Sequence, residues 1–201
     1  MINDTKISDE ELAKKVQNGH KQSFDLLISR YSEKIFRYAK RFLYNLQDAE
    51  DATQDVFIKT YENIQSFNLN KRFSPWIYRL AHNTFINIIR KNKREKIQFI
   101  DLDTVLPHFV SHDTLEKEIS SKFDLKLLEK VIKKLNPKYR EIIILFYYEE
   151  KSYQEISDIL KIPASTVGVR LKRAKQQLKN ISNDHFQNKK PNRNRKQKQI
   201  L

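Results

Sequence analysis

The chain contains no cysteine and only two glycines among its 201 residues. Without thiols there is no disulfide, no thiolate metal site and no cysteine nucleophile. Glycine and proline together make up seven residues, where an average chain of this length carries roughly 12 %. That scarcity argues against a turn-rich sandwich or barrel and against a Gly-looped nucleotide fold. Long apolar runs are missing as well. The longest, Ile142 to Tyr148, has seven residues, against the roughly 20 that span a bilayer. The start MINDTKISDEE is acidic and apolar-poor, so it does not read as a signal peptide, and a cytoplasmic protein is expected. The length suits two compact modules, and the composition predicts an all-α fold.

One thing is in excess, namely positive charge. Thirty-nine Lys and Arg against 25 Asp and Glu leave +14, which points to a polyanionic partner, most simply nucleic acid. The excess is unevenly placed. Residues 1–100 carry +6, 101–121 carry −4, 122–181 carry +7 and 182–201 carry +5. The sequence therefore divides into a first basic module at 1–96, a flexible acidic linker at 97–121, a second basic module at 122–181 and a basic tail at 182–201 that is expected to be disordered. Pro107 and the lack of helical period mark the linker; about 18 of its residues, fully extended, would reach roughly 60 Å.

Four helices are predicted in the first module. Ser8 and Glu11 form a capping box before a short helix ending near Gly19, Ser23 to Leu43 has helical apolar spacing, and Asp48 to Ile64 opens on an acidic turn. The fourth is predicted to start at Ser74 and Pro75, with Ser74 as its cap. At about 100° per residue, Arg79, Asn83, Asn87, Arg90 and Arg94 fall on the arc opposite the apolar one, with Trp76 at its N-terminal end and Lys91 at its margin. Asn can pair with base edges, Arg with phosphates, and a ring can stack on a base. Trp76 could equally cap the core. The preceding loop, Phe67, Asn68, Leu69, Asn70, Lys71, Arg72 and Phe73, has the composition to hold an unstacked base; part of it could instead pack its own phenylalanines.

In the second module Lys122 to Leu135 reads as a helix, Asn136-Pro137 breaks it, and Ile142 to Tyr148, apolar all round, is expected to be central core. Ser152 and Glu155 make a second capping box ahead of Tyr153 to Leu160. A tight turn through Lys161 to Ala164 leads to a last helix, expected to be capped by Ser165 and to end near Asn180. Two short helices joined by so tight a turn form a helix-turn-helix, whose second member enters the DNA major groove. Ser165, Thr166, Val169, Arg170, Lys172, Arg173 and Gln176 lie on or beside its outward arc, Val169 placed to touch a thymine methyl and Arg173 or Gln176 to read a base edge.

These residues resemble a family. DAEDATQDVF at 48–57, Ser66-Phe67, FSPWIYRLAHN at 73–83 and Arg90-Lys91 resemble region 2 of bacterial sigma-70 family RNA polymerase sigma factors of the extracytoplasmic function group. LNPKYR at 135–140, SYQEI at 152–156, Ile162-Pro163 and TVGVRLKRAK at 166–175 resemble region 4. The resemblance implies that Asp51, Gln54 and Asp55 dock on the β′ subunit of core RNA polymerase. It places Phe67 to Phe73 and the Trp76 helix at the −10 element, with Asn83 and Asn87 at the recognition surface, and the helix from Thr166 at the −35 duplex. It further implies partners in core polymerase (β and β′), promoter DNA and an anti-sigma factor, often membrane-anchored, and an acidic linker running through the polymerase cleft. Gly168 and Val169 depart from the pattern, which often carries a polar or basic residue followed by Ser or Thr.

Two other functions compete. A stand-alone helix-turn-helix regulator would need a ligand pocket or dimer surface, for which no segment is visible. A metal-dependent nuclease built on Asp48, Glu50, Asp51 and Asp55 would lack a second acidic strand or a histidine. His108 and His112 are too few to hold a metal, so no cofactor is expected and the protein is not expected to be an enzyme.

Overall fold

The computed structural model describes residues 7–94, 132 and 134–187, with backbone alone at 92–94 and 182–187. The linker expected at 97–121, its two histidines, nearly all of the helix expected at 122–135 and the tail beyond Gln187 lie outside them. The described residues form helices and turns without a strand, as expected.

Helix α1 (Asp9–Gln17) starts where the sequence predicts. The Ser8 hydroxyl accepts from the Glu11 amide at 3.1 Å while the Glu11 carboxylate accepts from the Ser8 amide at 2.9 Å, so two otherwise orphaned donors are satisfied. Helix α2 (Gln22–Leu43) buries Leu27, Ile35, Tyr38 and Phe42 along one stripe. It ends on Tyr44 in the left-handed conformation, φ 66°. Asn45 then caps α3 (Leu46–Asn63) by accepting from the Gln47 amide. The buried stripe of α3 is Ala49, Ala52, Val56 and Thr60, small side chains that let it lie close to its neighbours. A short 3-10 turn (Ile64–Ser66) leads through a loop to α4 (Phe73–Arg94), whose Ile77, Ala81 and Phe85 complete the core of this module. Tyr38 anchors it, with Phe85 edge-on at 5.0 Å between ring centres and Phe42 tilted at 5.9 Å.

The sequence expectation for the start of α4 needs correction. The helix begins at Phe73, not after Ser74, and the Phe73 amide donates to the Glu10 carboxylate of α1 at 2.8 Å. A carboxylate from a distant helix thus does the capping, and a cap of that kind leaves no local signal. The Ser74 hydroxyl instead accepts from Lys151 of the second module at 3.1 Å.

The second module enters on α5 (Pro137–Ile143), with Pro137 in its first turn and Asn136 accepting from the Lys138 amide. At Ile144–Tyr148 the winding loosens into a π-helical turn, closed by the Glu149 amide donating to the Ile144 carbonyl at 3.0 Å. Ile142 to Leu145 are core as expected, but the looser winding brings Tyr147 to the surface, 40 % exposed. Helix α6 (Tyr153–Leu160) carries both halves of the predicted capping box, and Lys161 ends it in the left-handed conformation, φ 55°. Helix α7 (Ala164–Gln187) starts one residue before Ser165, so Ser165 lies inside the first turn and is not the cap; α7 also runs past the expected end near Asn180. The turn between α6 and α7 is held by the Ser157 hydroxyl, which donates to the Ile162 carbonyl at 2.6 Å.

The two modules pack against each other, α6 on α4 and the π-helical turn on α2. Glu149 reaches into the first module with its side chain wholly buried: the Tyr78 hydroxyl donates to it at 2.7 Å, and Arg37 and Arg41 approach to 3.5 and 3.7 Å. The carboxylate of Glu141 accepts from the Tyr38 hydroxyl at 3.1 Å and meets the His82 imidazole. Arg140 donates to the Phe42 carbonyl at 3.3 Å, and Lys151 sits 4.3 Å over the Tyr78 ring. Burial, reinforced by the Glu141 and Glu149 carboxylates respectively, drives the Tyr38 and Tyr78 hydroxyls far above the ordinary phenol range, so both remain donors at any physiological pH.

Candidate nucleic-acid and partner interfaces

Three helical faces present the residues singled out from sequence. On α3, Asp51, Gln54 and Asp55 are all exposed. At about 100° per residue they surround Ile58, which is 57 % exposed, with Glu62 next to it. Gln47 donates to Asp51 at 3.1 Å and steadies that carboxylate. An open isoleucine rimmed by carboxylates fits the apolar centre and polar rim of a protein docking surface. The family resemblance had singled out Asp51, Gln54 and Asp55 but not Ile58, whose signal in the sequence is an apolar residue placed out of phase with Ala52, Val56 and Thr60.

On α4, Asn83, Asn87, Arg90 and Lys91 are exposed and Arg79 is half-buried, while Arg94 has no described side chain. Trp76 is partly exposed at the end of this face, its ring 5.0 Å from Phe67 and 5.5 Å from Phe73. Those two phenylalanines, expected to meet DNA, are core residues here, 4 % and 0 % exposed. They stand edge to face at 5.5 Å and back the indole from behind. The loop between them owes its shape to polar locks that the sequence did not advertise. Gln17 of α1 donates to the carbonyls of Ile64 at 2.7 Å and Phe67 at 2.9 Å, and the Asn68 side chain accepts from the Asn70 amide at 2.9 Å. Asn68 and Asn70 remain exposed, and neighbouring Arg72 reaches Glu155 of α6 at 3.5 Å.

On α7, Val167, Leu171, Ala174 and Leu178 face inward and are buried. Ser165, Val169, Lys172, Arg173 and Gln176 are exposed, with Thr166 and Arg170 partly so. Gln176 donates to Asn180 at 3.2 Å, which holds its amide along the outer face. Gly168 lies under the Tyr153 ring of α6, where a Cβ would sit 3.4 Å from the nearest ring carbon. Among the described residues no group of three or more His, Asp or Glu side chains converges as a metal site would require, and no helix of theirs is long and apolar enough to cross a membrane.

Comparison with known proteins matches two separate stretches of the chain. Residues 27–95 match the family model of sigma-70 region 2, and residues 125–178 that of sigma-70 region 4. The ECF RNA polymerase sigma factor SigW of Bacillus subtilis is 35 % identical over 174 residues, covering 83 % of this chain and 92 % of that protein. The fold is similar to that of CnrH, solved in complex with the cytosolic domain of CnrY, at a TM-score of 0.66 and 20 % identity over 88 % of this chain and 97 % of that one. It is also similar to the sigma factor RpoE of Bartonella quintana, solved with the anti-sigma factor NepR, at a TM-score of 0.62 and 23 % identity over 81 % and 98 %.

Proposed function

As a member of the extracytoplasmic function group of the sigma-70 family of RNA polymerase sigma factors, the chain directs promoter-specific transcription initiation, and we propose that its helical faces divide that task. The α3 face, Asp51, Gln54 and Asp55 around Ile58, docks on the β′ subunit of core polymerase. Asn83, Asn87, Arg90, Lys91 and Arg79 of α4, with Trp76 at their head and Asn68 and Asn70 on the adjoining loop, capture the −10 element as it opens. Thr166, Val169, Arg170, Lys172, Arg173 and Gln176 of α7, starting from Ser165, read the −35 duplex. The protein works by binding, leaving bond making to the polymerase, and it resides in the cytoplasm beside that enzyme. An anti-sigma factor is its natural antagonist.

The observation that carries this reading is Trp76: its indole packs at a tilt against two buried phenylalanines while the ring keeps partial solvent access at the head of an Asn- and Arg-bearing helix. A ring braced in this way is ready to stack on a base, and stacking contributes about 1–3 kcal/mol per base, enough to offset much of the cost of unpairing. The outer face of α7 supplies the complementary duplex reader, an apolar contact between cationic and amide donors.

The test is reconstitution with bacterial core RNA polymerase freed of other sigma factors, on genomic DNA of the host. Discrete transcript starts sharing two upstream elements are expected. Failure to bind core, with protection of DNA by the protein alone, would make it a stand-alone regulator and remove the role of the α3 face.

A further inference from the structure

The basic stripe of α2 has no part in the task just described. Arg37, Lys40 and Arg41 follow one another at helical spacing, which puts all three on one face. Like charges so placed repel one another and cost stability unless an anion neutralises them. Among the described residues the carboxylate in ion-pair contact with them is Glu149, wholly buried, 3.5 Å from Arg37 and 3.7 Å from Arg41. Glu33 acts on Arg37 only at longer range. Lys40 is exposed and makes no ion pair among the described residues. Both distances to Glu149 exceed the roughly 2.7–2.9 Å of a charge-assisted hydrogen bond. The Arg41 Nη1, shut off from solvent, makes no hydrogen bond.

The same three cations line a cleft of about 290 Å³ whose other walls include Ile132 and, from the π-helical turn, Ile144 and Tyr148. Its volume lies at the lower edge of the roughly 300–1,000 Å³ of small-molecule sites. The Arg41 guanidinium lies over the Tyr148 ring, 4.4 Å from its centre, which holds that cation in place. One side of the cleft is therefore cationic and the other apolar. Three positive charges in contact with one negative charge leave an excess of two. A phosphate monoester carries about −1.5 to −2 near pH 7, with three acceptor oxygens, and so matches that excess where a single carboxylate would not. None of the residues assigned above to polymerase, to the −10 element or to the −35 element lines the cleft.

We infer that this cleft is a binding site for a small phosphate monoester. Arg37, Lys40 and Arg41 hold the phosphate, and Ile132, Ile144 and Tyr148 receive the carbon body. A ligand held by this folded arrangement stabilises it by mass action.

The test is calorimetric titration and thermal melting of the full chain at about 150 mM salt, where exposed charges are screened beyond about 8 Å. The probes are adenosine 5′-monophosphate, inorganic phosphate and adenosine. The monophosphate is expected to bind at one site per chain and to raise the melting temperature, inorganic phosphate to bind more weakly, and adenosine not to bind. Arg37→Gln with Lys40→Gln is expected to weaken binding of the monophosphate at least tenfold. Tyr148→Ala, which leaves the charge unchanged, is expected to weaken it several-fold. Both variants should keep the helical circular dichroism and a cooperative melt. Lys14→Gln with Lys15→Gln removes the same charge from exposed positions on α1 outside the cleft and should bind as wild type does. Absence of saturable binding by the monophosphate, several sites per chain, or an equal loss in the α1 control overturns the site. Inorganic phosphate binding as tightly as the monoester overturns the part given to the apolar wall. No polymerase enters the assay, so its outcome leaves the sigma reading untouched.

Discussion

Ser152 shows how much one side chain contributes here. Its hydroxyl and amide hold the Glu155 carboxylate in the capping box of α6. Partial burial pushes that carboxyl upward, but the Ser152 hydrogen bonds and the nearby Lys151 and Arg72 charges outweigh it and leave the group below its ordinary value of 4.5. A carboxylate whose folded pKa is depressed adds stability that is complete above the unfolded value and is lost as pH falls through the folded one. Ser152→Ala should therefore cost about 1 kcal/mol at pH 7, and its deficit against wild type should shrink below pH 4.5, as followed by denaturant unfolding across pH. Gly168 offers the opposite change. A Cβ there meets the Tyr153 ring at ordinary contact distance, so Gly168→Ala should raise stability by about 1 kcal/mol, visible as a higher melting temperature. At this scale the sequence was partly legible. Local caps, Ser8 with Glu11, Ser152 with Glu155, and Asn136 before Pro137, are written in neighbouring residues and were readable. The Glu10 cap of α4 and the Gln17 clamp on the loop ahead of α4 are made across 63 and 47 or more positions of chain, where no spacing rule reaches.

Among the elements, helical periodicity located α2, α3, α4 and α6, and the start of α7, to within a few residues, because each has one buried stripe whose period is independent of its partners; α7 runs seven residues beyond its expected end. The same periodicity could not say which exposed side chains form a working surface. Phe67 and Phe73 illustrate the limit: their composition suited DNA, and the fold uses them to brace Trp76. Trp76→Ala should accordingly impair strand opening more than initial promoter binding, measured by permanganate footprinting against filter binding; an equal loss in both would assign the indole to structure alone. For α3 the decisive position is Ile58. Replacing it by Lys puts a charge at the centre of the proposed docking face without touching the core, so affinity for core polymerase should fall at least tenfold, about 1.4 kcal/mol, with the melting temperature unchanged. A native gel or a surface-binding assay with purified core reads the outcome.

For the whole molecule, composition announced an all-helical, basic, two-module chain. What it could not announce is that the modules meet. Tyr38, Tyr78, Glu141 and Glu149 each look unremarkable in sequence, the tyrosines as amphipathic helix residues and the glutamates as solubilising charge. Their pairing, 103 positions apart for Tyr38 with Glu141 and 71 for Tyr78 with Glu149, exists only in three dimensions.

The π-helical turn at Ile144–Tyr148 sets the phase of that meeting. Ordinary α-winding through the same five residues would accommodate one residue fewer per loop of hydrogen bond, and every side chain beyond it would be rotated by about 100°. Glu149 would then point away from Arg37 and Tyr78, while α6 and α7, which follow as a unit, would still pack on each other. Which side chains the second module turns toward the first is thus a question of angular timing, settled by one widened turn of helix a few residues ahead of α6 and α7.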